Sequence, residues 1–317
     1  GAMPEAPKIE ALNLYSPERI YHALNSGIMS TSALMLSNQD IRQVAYYLTG
    51  KQVEDNKKQR EQFLCKAGPQ AAKPGTQARW TGWGGAQGNQ RFQAQETILN
   101  PDNVNGLKLK WAFGFPETTR VRSQPTVTAS FVYIGSQEGT VYALDADTGA
   151  QRWRFDPQND TSPFGILGNC RGVTYYHIPE RNKQEQCAER IFTATTDARM
   201  IAVDKQTGEP CSEFGGNGEI SLLAGMGEVK PYYYFVTSPP TVASGALVVG
   251  GWVMDNQETE EPSGVVRGYD PVSGELLWAW DIGREGIQTT LPPQGSFYTR
   301  GTPNVWSLTS ADDELGL

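Results

Sequence analysis

Two patterns of apolar and polar positions divide the chain. Helical spacing is confined to the first fifty residues, and short alternating runs with turn signals begin near Trp80. One phrase recurs in the alternating part. It reads V-Y-A-L-D-A-D-T-G-A-Q-R-W at 141–153, M-I-A-V-D-K-Q-T-G-E-P-C at 200–211, and V-R-G-Y-D-P-V-S-G-E-L-L-W at 266–278. Each copy is a strand, an Asp (Asp145, Asp204, Asp270), a turn closing on Thr-Gly or Ser-Gly, and a second strand. A repeat of roughly 60 residues is a supersecondary unit stacked on copies of itself, and an all-β unit predicts a β-propeller. Three copies are visible, one short of the roughly four blades that the smallest closed ring requires.

The phrase has a mechanical reading. Asp and Thr side chains bond the backbone of a tight turn, and Gly supplies a positive φ. The Trp that follows (Trp153, Trp278) packs between neighbouring sheets, whereas the second copy has Ser212 there. An entering strand precedes the phrase, predicted at Thr126–Val132 and Thr241–Val249. Leu107–Phe113 also alternates as a strand. In the first fifty residues, Ser16-Pro17-Glu18 starts a helix running toward Gly27. Ser37-Asn38-Gln39-Asp40 opens another, with Ile41, Val44, Ala45 and Leu48 at helical spacing and Gly50 as its stop. Residues 51–78 read as a polar and then Pro/Gly/Ala-rich linker, and 79–317 as the propeller part.

Composition narrows the function. A net charge of −8 argues against a nucleic-acid partner, and no run of eighteen apolar residues predicts a transmembrane segment. Behind Gly1-Ala2-Met3 there is no signal-peptide pattern, so this start reads as a cloning scar or an interior cut of a longer chain. Of the four cysteines, Cys187 lies roughly opposite Cys211 when counted outward from a hairpin turning near Asp197–Arg199. That register leaves two readings open, a disulfide in an oxidising compartment such as a periplasm, or two thiols.

Three segments of the propeller part carry a resemblance. They are Cys170-Arg171-Gly172-Val173-Thr174-Tyr175-Tyr176, Arg190-Ile191-Phe192 through Thr195-Thr196-Asp197-Ala198-Arg199, and Asp255-Asn256 followed by Pro262-Ser263-Gly264-Val265-Val266-Arg267-Gly268. They resemble the pyrroloquinoline quinone (PQQ) dependent dehydrogenases, most nearly the membrane-type glucose dehydrogenases. Leu109–Pro116 is more similar to polyvinyl alcohol dehydrogenases. The resemblance implies an all-β propeller of PQQ-type repeats, about half of an eight-bladed ring. Residues 1–50 resemble the C-terminal half of a c-type cytochrome, so a small α-helical fragment precedes the propeller. In that family the Met after a Gly such as Gly27 is the axial sulfur ligand of haem, which Met29 matches. No C-x-x-C-H occurs in the sequence, so haem c is expected only with a half lying upstream.

For PQQ, the resemblance places Arg171 on the cofactor's carboxylate and ortho-quinone side, where a planar fork of donors suits a tricarboxylate. It places Trp306 flat against the tricycle, with Asn304 of the same stretch also on the cofactor. Asp255 and Asn256 match the oxygen ligands of a calcium or magnesium ion. Other positions depart from the family. Arg122 stands where a Glu is common, Leu167 where the glucose branch has His, and Tyr176 replaces a second His, with His177 one position later.

The implied reaction oxidises a hydroxyl of an alcohol, polyol or sugar, small or polymeric. The metal polarises the quinone, hydride passes to PQQ C5, and electrons leave to a cytochrome c or quinone in the periplasm. The catalytic base is expected beyond Leu317, and Asp312, Asp313 and Glu314 read as a turn, so the chain alone is expected to be inactive. The competing reading is a non-catalytic propeller with PQQ-like repeats that serves as an assembly scaffold. Arg171, Asp255-Asn256 and Trp306 separate the two, because a scaffold has no use for them.

Overall fold

The structure, a computed structural model, describes residues 9–25, 29–33, 35–53, 80–85, 88–93, 99–116, 118, 121–159, 168–254, 256–257 and 259–317. Helices α1 (Ile9–Leu12), α2 (Pro17–Asn25) and α3 (Asn38–Thr49) form the first part. Local chemistry sets the ends of α3. The Ser37 hydroxyl accepts from Asp40 N and the Asp40 carboxylate accepts from Ser37 N, a reciprocal capping box. Gly50, at φ 66°, closes the other end. Ser16 caps α2 as its sequence predicts, accepting from Arg19 N. Ile20, Ile41 and Ala45 are the buried apolar residues of α2 and α3. No described helix is long and apolar enough to cross a membrane.

Three four-stranded antiparallel sheets follow, each joined in simple sequence order. The first is β1 (Thr126–Val127), β2 (Phe131–Gly135), β3 (Val141–Asp145) and β4 (Gln151–Phe155). The second is β5 (Thr174–His177), β6 (Glu189–Ala194), β7 (Arg199–Asp204) and β8 (Glu219–Ser221). The third is β10 (Thr241–Ala243), β11 (Ala246–Val249), β13 (Val266–Tyr269) and β14 (Leu276–Trp280). A two-stranded ribbon of β9 (Tyr234–Phe235) and β12 (Trp252–Val253) accompanies the third sheet. These are three blades of a propeller.

Both faces of the middle blade are buried, which explains why its strands read as nearly continuous apolar runs. Ile191, Ile201 and Val203 pack with Tyr133, Val141, Ala143 and Trp153 of the first blade. Their alternate neighbours Phe192, Ala194, Met200 and Ala202 pack with Leu247, Val249, Val265 and Ala279 of the third. The period of two along β6 and β7 sends successive side chains to opposite interfaces.

The recurring phrase folds alike three times. The Asp145 carboxylate accepts from the backbone N–H of Asp147 and Thr148, that of Asp204 from Gln206 and Thr207, and that of Asp270 from Val272 and Ser273. The tryptophan of one unit docks on the turn of the next. Trp111 Nε1 donates to Ala146 O at 3.1 Å, and Trp153 Nε1 to Lys205 O at 3.0 Å. A Cβ on Gly208 would lie 2.7 Å from the Trp153 ring, and its φ of 75° already excludes most side chains. At the next interface, where Ser212 replaces the tryptophan, Phe214 lies by Gly274 and Gly215 N donates to Ser273 O. Arg190, fully buried, donates there to the carbonyls of Pro271 and Val272 at 3.0 and 2.7 Å.

Four expectations need correcting or completing. Each entering strand is two strands, because turns at Ala129-Ser130 and Ser244-Gly245 break the runs; Ser244 and Gly245 both have positive φ. Leu107–Phe113 joins no sheet; its Leu107 and Leu109 are exposed, and it docks on the first blade through the side chains of Lys110, Trp111 and Phe113. Cys187 and Cys211 are bonded, with Cα atoms 5.7 Å apart, but the register argument for the pair fails. Arg190 pairs with Asp204, which carries 187 toward 207; Cys211 arrives because the chain turns back at Gly208 and Cys211 N donates to Ala202 O. Finally, 312–317 is the expected turn, with Asp312 accepting from Glu314 N and Leu315 N.

Candidate functional site

The site begins with how the inner strands meet. Each blade's innermost strand hands one hydroxyl to the next: Thr126 Oγ1 donates to Val173 O, Thr174 Oγ1 to Pro240 O and Thr241 Oγ1 to Thr309 O. Just before these threonines, Gln124 N donates to Arg171 O at 2.8 Å, Arg171 N to Thr237 O at 2.9 Å, and Ser238 Oγ to Trp306 O at 2.7 Å. Gln124, Arg171, Thr237 and Trp306 are therefore successive stations around one axis. The segment 302–309 occupies the inner position after the third blade.

This arrangement brings Arg171 and Trp306 together although 135 residues separate them in the sequence. The guanidinium carbon lies 4.7 Å from the Trp306 ring centroid, a cation–π contact. Partial burial, and then the like charge of Arg122, pull the Arg171 pKa below its ordinary value. Among the described residues no carboxylate pairs with Arg171. A half-buried guanidinium opposed by a second one suits an anion. Trp306 is 39 % exposed, so part of its ring is available to a flat ligand. The buried Thr237 Oγ1 and Asn304 Oδ1 have no hydrogen-bond partner among the described residues. Segment 303–304 runs so close to Gly264 that a Cβ there would fall 1.9 Å from Pro303 O.

Of the expected residues, Arg171 and Trp306 are the ones seen to meet at this centre. Asp255 and Leu167 lie outside the described residues. Asn256 is exposed, at φ 62°, and among the described residues no group of three or more His, Cys, Asp or Glu side chains could hold a metal. Met29 belongs to the helical part, 37 % exposed, its N–H donating to Ala23 O. The sequence reading missed Trp252 and Phe235. Trp252 stacks on Trp306 with centroids 4.7 Å apart and planes at 25°, and Phe235 stacks on Trp252 at 5.2 Å and 21°. The available signal was a Trp behind two glycines, three residues before Asp255.

A separate cavity of about 500 Å³ opens among the blades, lined by Trp83, Thr174, Tyr175, Glu189, Lys205 and Thr241, among others. None of Arg171, Asn256, Asn304 and Trp306 lines it. Its buried Glu189 is satisfied internally, accepting from Lys205 Nζ at 2.8 Å and from the Tyr175 hydroxyl. The convergent, incompletely satisfied groups are those at Arg171, and we take that centre as the site.

Comparison with known proteins supplies the family. Residues 80–317 match the family described as "Glucose/ethanol/alcohol dehydrogenase, beta-propeller domain", under the heading PQQ. The chain is 32 % identical over 257 residues to the glycerol dehydrogenase large subunit of Gluconobacter oxydans (strain 621H), covering 78 % of this chain and 34 % of that one. It is likewise 32 % identical over 260 residues to the quinoprotein glucose dehydrogenase of Escherichia coli (strain K12), covering 78 % and 32 %. The chain thus spans about a third of the length of these relatives. A quinohemoprotein alcohol dehydrogenase from Pseudomonas putida HK5 shares the fold, with TM-score 0.52 and 24 % identity over 64 % of this chain and 26 % of that one. With the match spanning most of its length, the chain belongs to the PQQ β-propeller family of glucose, ethanol and alcohol dehydrogenases.

Proposed function

We propose that this chain contributes the Arg171–Trp306 side of a PQQ site to a dehydrogenase that oxidises a hydroxyl of an alcohol, polyol or sugar. The observation that carries this reading is a half-buried guanidinium, without a carboxylate partner among the described residues, held 4.7 Å from a partly exposed indole. PQQ, when bound, supplies the two-electron acceptor that none of these side chains can provide. Arg171 would leave the Trp306 ring it now covers to grip the cofactor's carboxylate edge by paired charge-assisted hydrogen bonds, and Trp306 would support the flat face on the side away from Trp252. Asn304 and Thr237 would present polar atoms that have no partner among the described residues. Arg122 adds positive potential where the cofactor is most anionic. Asn256, with its neighbour Asp255, would supply oxygen ligands to a calcium or magnesium ion.

In the same reading electrons leave to a cytochrome c or a quinone in the periplasm. The Cys187–Cys211 bond supports an oxidising compartment. The helical part, with Met29 as a sulfur ligand, is read as belonging to a cytochrome-like unit over 1–50, joined through 51–78. Resemblance of its sequence supports that assignment.

The test is titration of the chain with PQQ in the presence of calcium, followed by quenching of tryptophan fluorescence. Loss of a charge-assisted bidentate contact weakens binding by about 10- to 100-fold, so Arg171→Ala is expected to fall in that range. Equal affinity in both proteins would remove the assignment.

A further inference from the structure

We propose that Trp252 is a positioning residue of the cofactor site, holding the plane of Trp306 from the inserted ribbon of the third blade. The inference rests on the functional reading above and adds a residue that the sequence motifs do not mark.

The argument starts from what fails to hold Trp306. Its segment, 302–309, lies in no strand, so no ladder of hydrogen bonds fixes the backbone twist there. The tethers seen are Gly264 N to Thr302 Oγ1, Ser238 Oγ to Trp306 O, and Thr241 with Thr309. They fix where the chain passes, and leave the direction of the indole to side-chain contacts. Those contacts form a single stack. Phe235 and Trp252 face each other in the register of β9 and β12, so backbone pairing places the two rings side by side. Trp252 then lies 4.7 Å from Trp306 with planes 25° apart, and the Arg171 guanidinium lies 4.7 Å from the same Trp306 ring. The order is ladder, Phe235, Trp252, Trp306, Arg171.

The ribbon packs into the core through Tyr234 and Val253, with the Tyr234 hydroxyl accepting from Arg267 Nη2 at 3.2 Å, and turns its other pair, the rings of Phe235 and Trp252, to the hub. It consists of two residues from each strand, and β12 interrupts the passage from β11 to β13. Gly251 permits it, since a Cβ there would lie 2.3 Å from the Tyr234 ring. What the ribbon delivers to the hub is an indole backed by a phenyl ring. A rigid platform binds a flat ligand better than one that must first be ordered, because the ordering cost has already been met on folding.

The experiment measures PQQ affinity, in the presence of calcium, of the full chain and of Trp252→Phe, Trp252→Leu, Trp306→Ala and the Trp252→Leu/Trp306→Ala double variant. Circular dichroism reports the coupling of the two indoles. Aromatic stacking of this kind corresponds to about 2- to 10-fold in an equilibrium. Trp252→Phe, which keeps a ring, should bind PQQ within about twofold of the parent, and Trp252→Leu should bind about three- to tenfold more weakly. The double variant should be no weaker than Trp306→Ala alone, because Trp252 acts through Trp306. A bulky apolar side chain fills the space in Trp252→Leu, and an unchanged urea midpoint separates misplacement from unfolding. If Trp252→Leu unfolds, Trp252→Phe decides: affinity loss with the fold intact overturns the proposal. Parental affinity in Trp252→Leu overturns it too, while Arg171→Ala still weakening PQQ leaves the functional reading standing. If neither Arg171→Ala nor Trp306→Ala changes affinity, that reading falls and this proposal with it.

Discussion

Replacing Arg190 by Ala tests how the blades are fastened where the sequence lacks its usual tryptophan. The side chain is fully buried. Nε donates to Cys187 O at 2.9 Å, Nη1 to both Pro271 O at 3.0 Å and Val272 O at 2.7 Å, and Nη2 to Glu213 Oε2 at 2.8 Å. The last of these counts least. Glu213 is half-exposed, and Arg181 reaches it at 2.9 Å, so losing one cation there costs little. The carbonyl bonds decide the magnitude. Cys187 and Pro271 are buried, so truncation strands two acceptors at about 1–3 kcal/mol each, and Val272, partly exposed, adds less. The arginine must itself be desolvated to sit there, and burial pulls its pKa down despite Glu213. That cost is recovered on truncation. We therefore expect a net loss of about 3 kcal/mol, near the upper end for single substitutions.

Urea unfolding at neutral pH measures this directly. With a slope of about 2–3 kcal/mol per molar, the midpoint should fall by about 1–1.5 M. Glu213→Ala should move it by less than about a third of that. A loss below about 1 kcal/mol in Arg190→Ala, or an equal loss in Glu213→Ala, would refute the carbonyl argument. The fastening would then lie in the apolar contacts of Phe214.

Three further perturbations have definite expected outcomes. Burial would raise the Asp145 pKa, but Arg152 and the N–H and O–H donors of Asp147 and Thr148 outweigh it and hold the carboxyl at about 2. A depressed folded value means stability that is full above about pH 4 and is lost as pH falls through 2. Asp145→Asn should flatten that part of the stability–pH curve, by about 2 kcal/mol; parallel curves would show that Asp145 is not the group responsible. Reducing the Cys187–Cys211 bond opens a loop of sequence separation 24 and should cost about 3 kcal/mol, read as a lower denaturation midpoint in dithiothreitol, with Cys211→Ser insensitive to the reductant; an unchanged midpoint in the parent would show an unbridged pair. Gly208→Ala meets both a φ of 75° and the Trp153 ring, so it should destabilise by at least about 2 kcal/mol, with part of that loss relieved by Trp153→Ala; strict additivity of the two changes would refute the contact.

What could be read from the sequence was what neighbours in the sequence decide. The Ser37–Asp40 box, the Gly50 stop and the three Asp turns each close within a few residues, and each folds as its residues predict. Arg171 and Trp306 could be named only by likeness to a family, because the contact between them exists only once the blades are in place. Trp252 carried no such likeness. Its pairing with Trp306 crosses 54 residues and depends on a ribbon of two-residue strands, too short for an alternation to show. The long uninterrupted strands expected at Thr126–Val132 and Thr241–Val249 failed for a related reason: a two-residue turn between apolar residues leaves the alternation intact while reversing the chain.

Ser212 shows where such reading stops in principle. The sequence reveals that the second unit lacks its tryptophan, and hence that one blade junction needs another fastening. It does not reveal the substitute. Arg190 comes from the second strand of its blade, a position where burial of a charge would ordinarily argue against the assignment. The charge is tolerable because the turn of the following blade aims two carbonyls at it, and those carbonyls are oriented by Asp270, which accepts from the N–H groups of Val272 and Ser273. One repeat's local turn thus creates the acceptor that makes another repeat's buried cation stable. The hub works by the same logic, with Arg171 N held by Thr237 O and Trp306 O by the neighbouring Ser238 hydroxyl. Geometry at the axis is therefore only as firm as the blade junctions, and a loosened Arg190 junction should weaken PQQ binding as well as the fold.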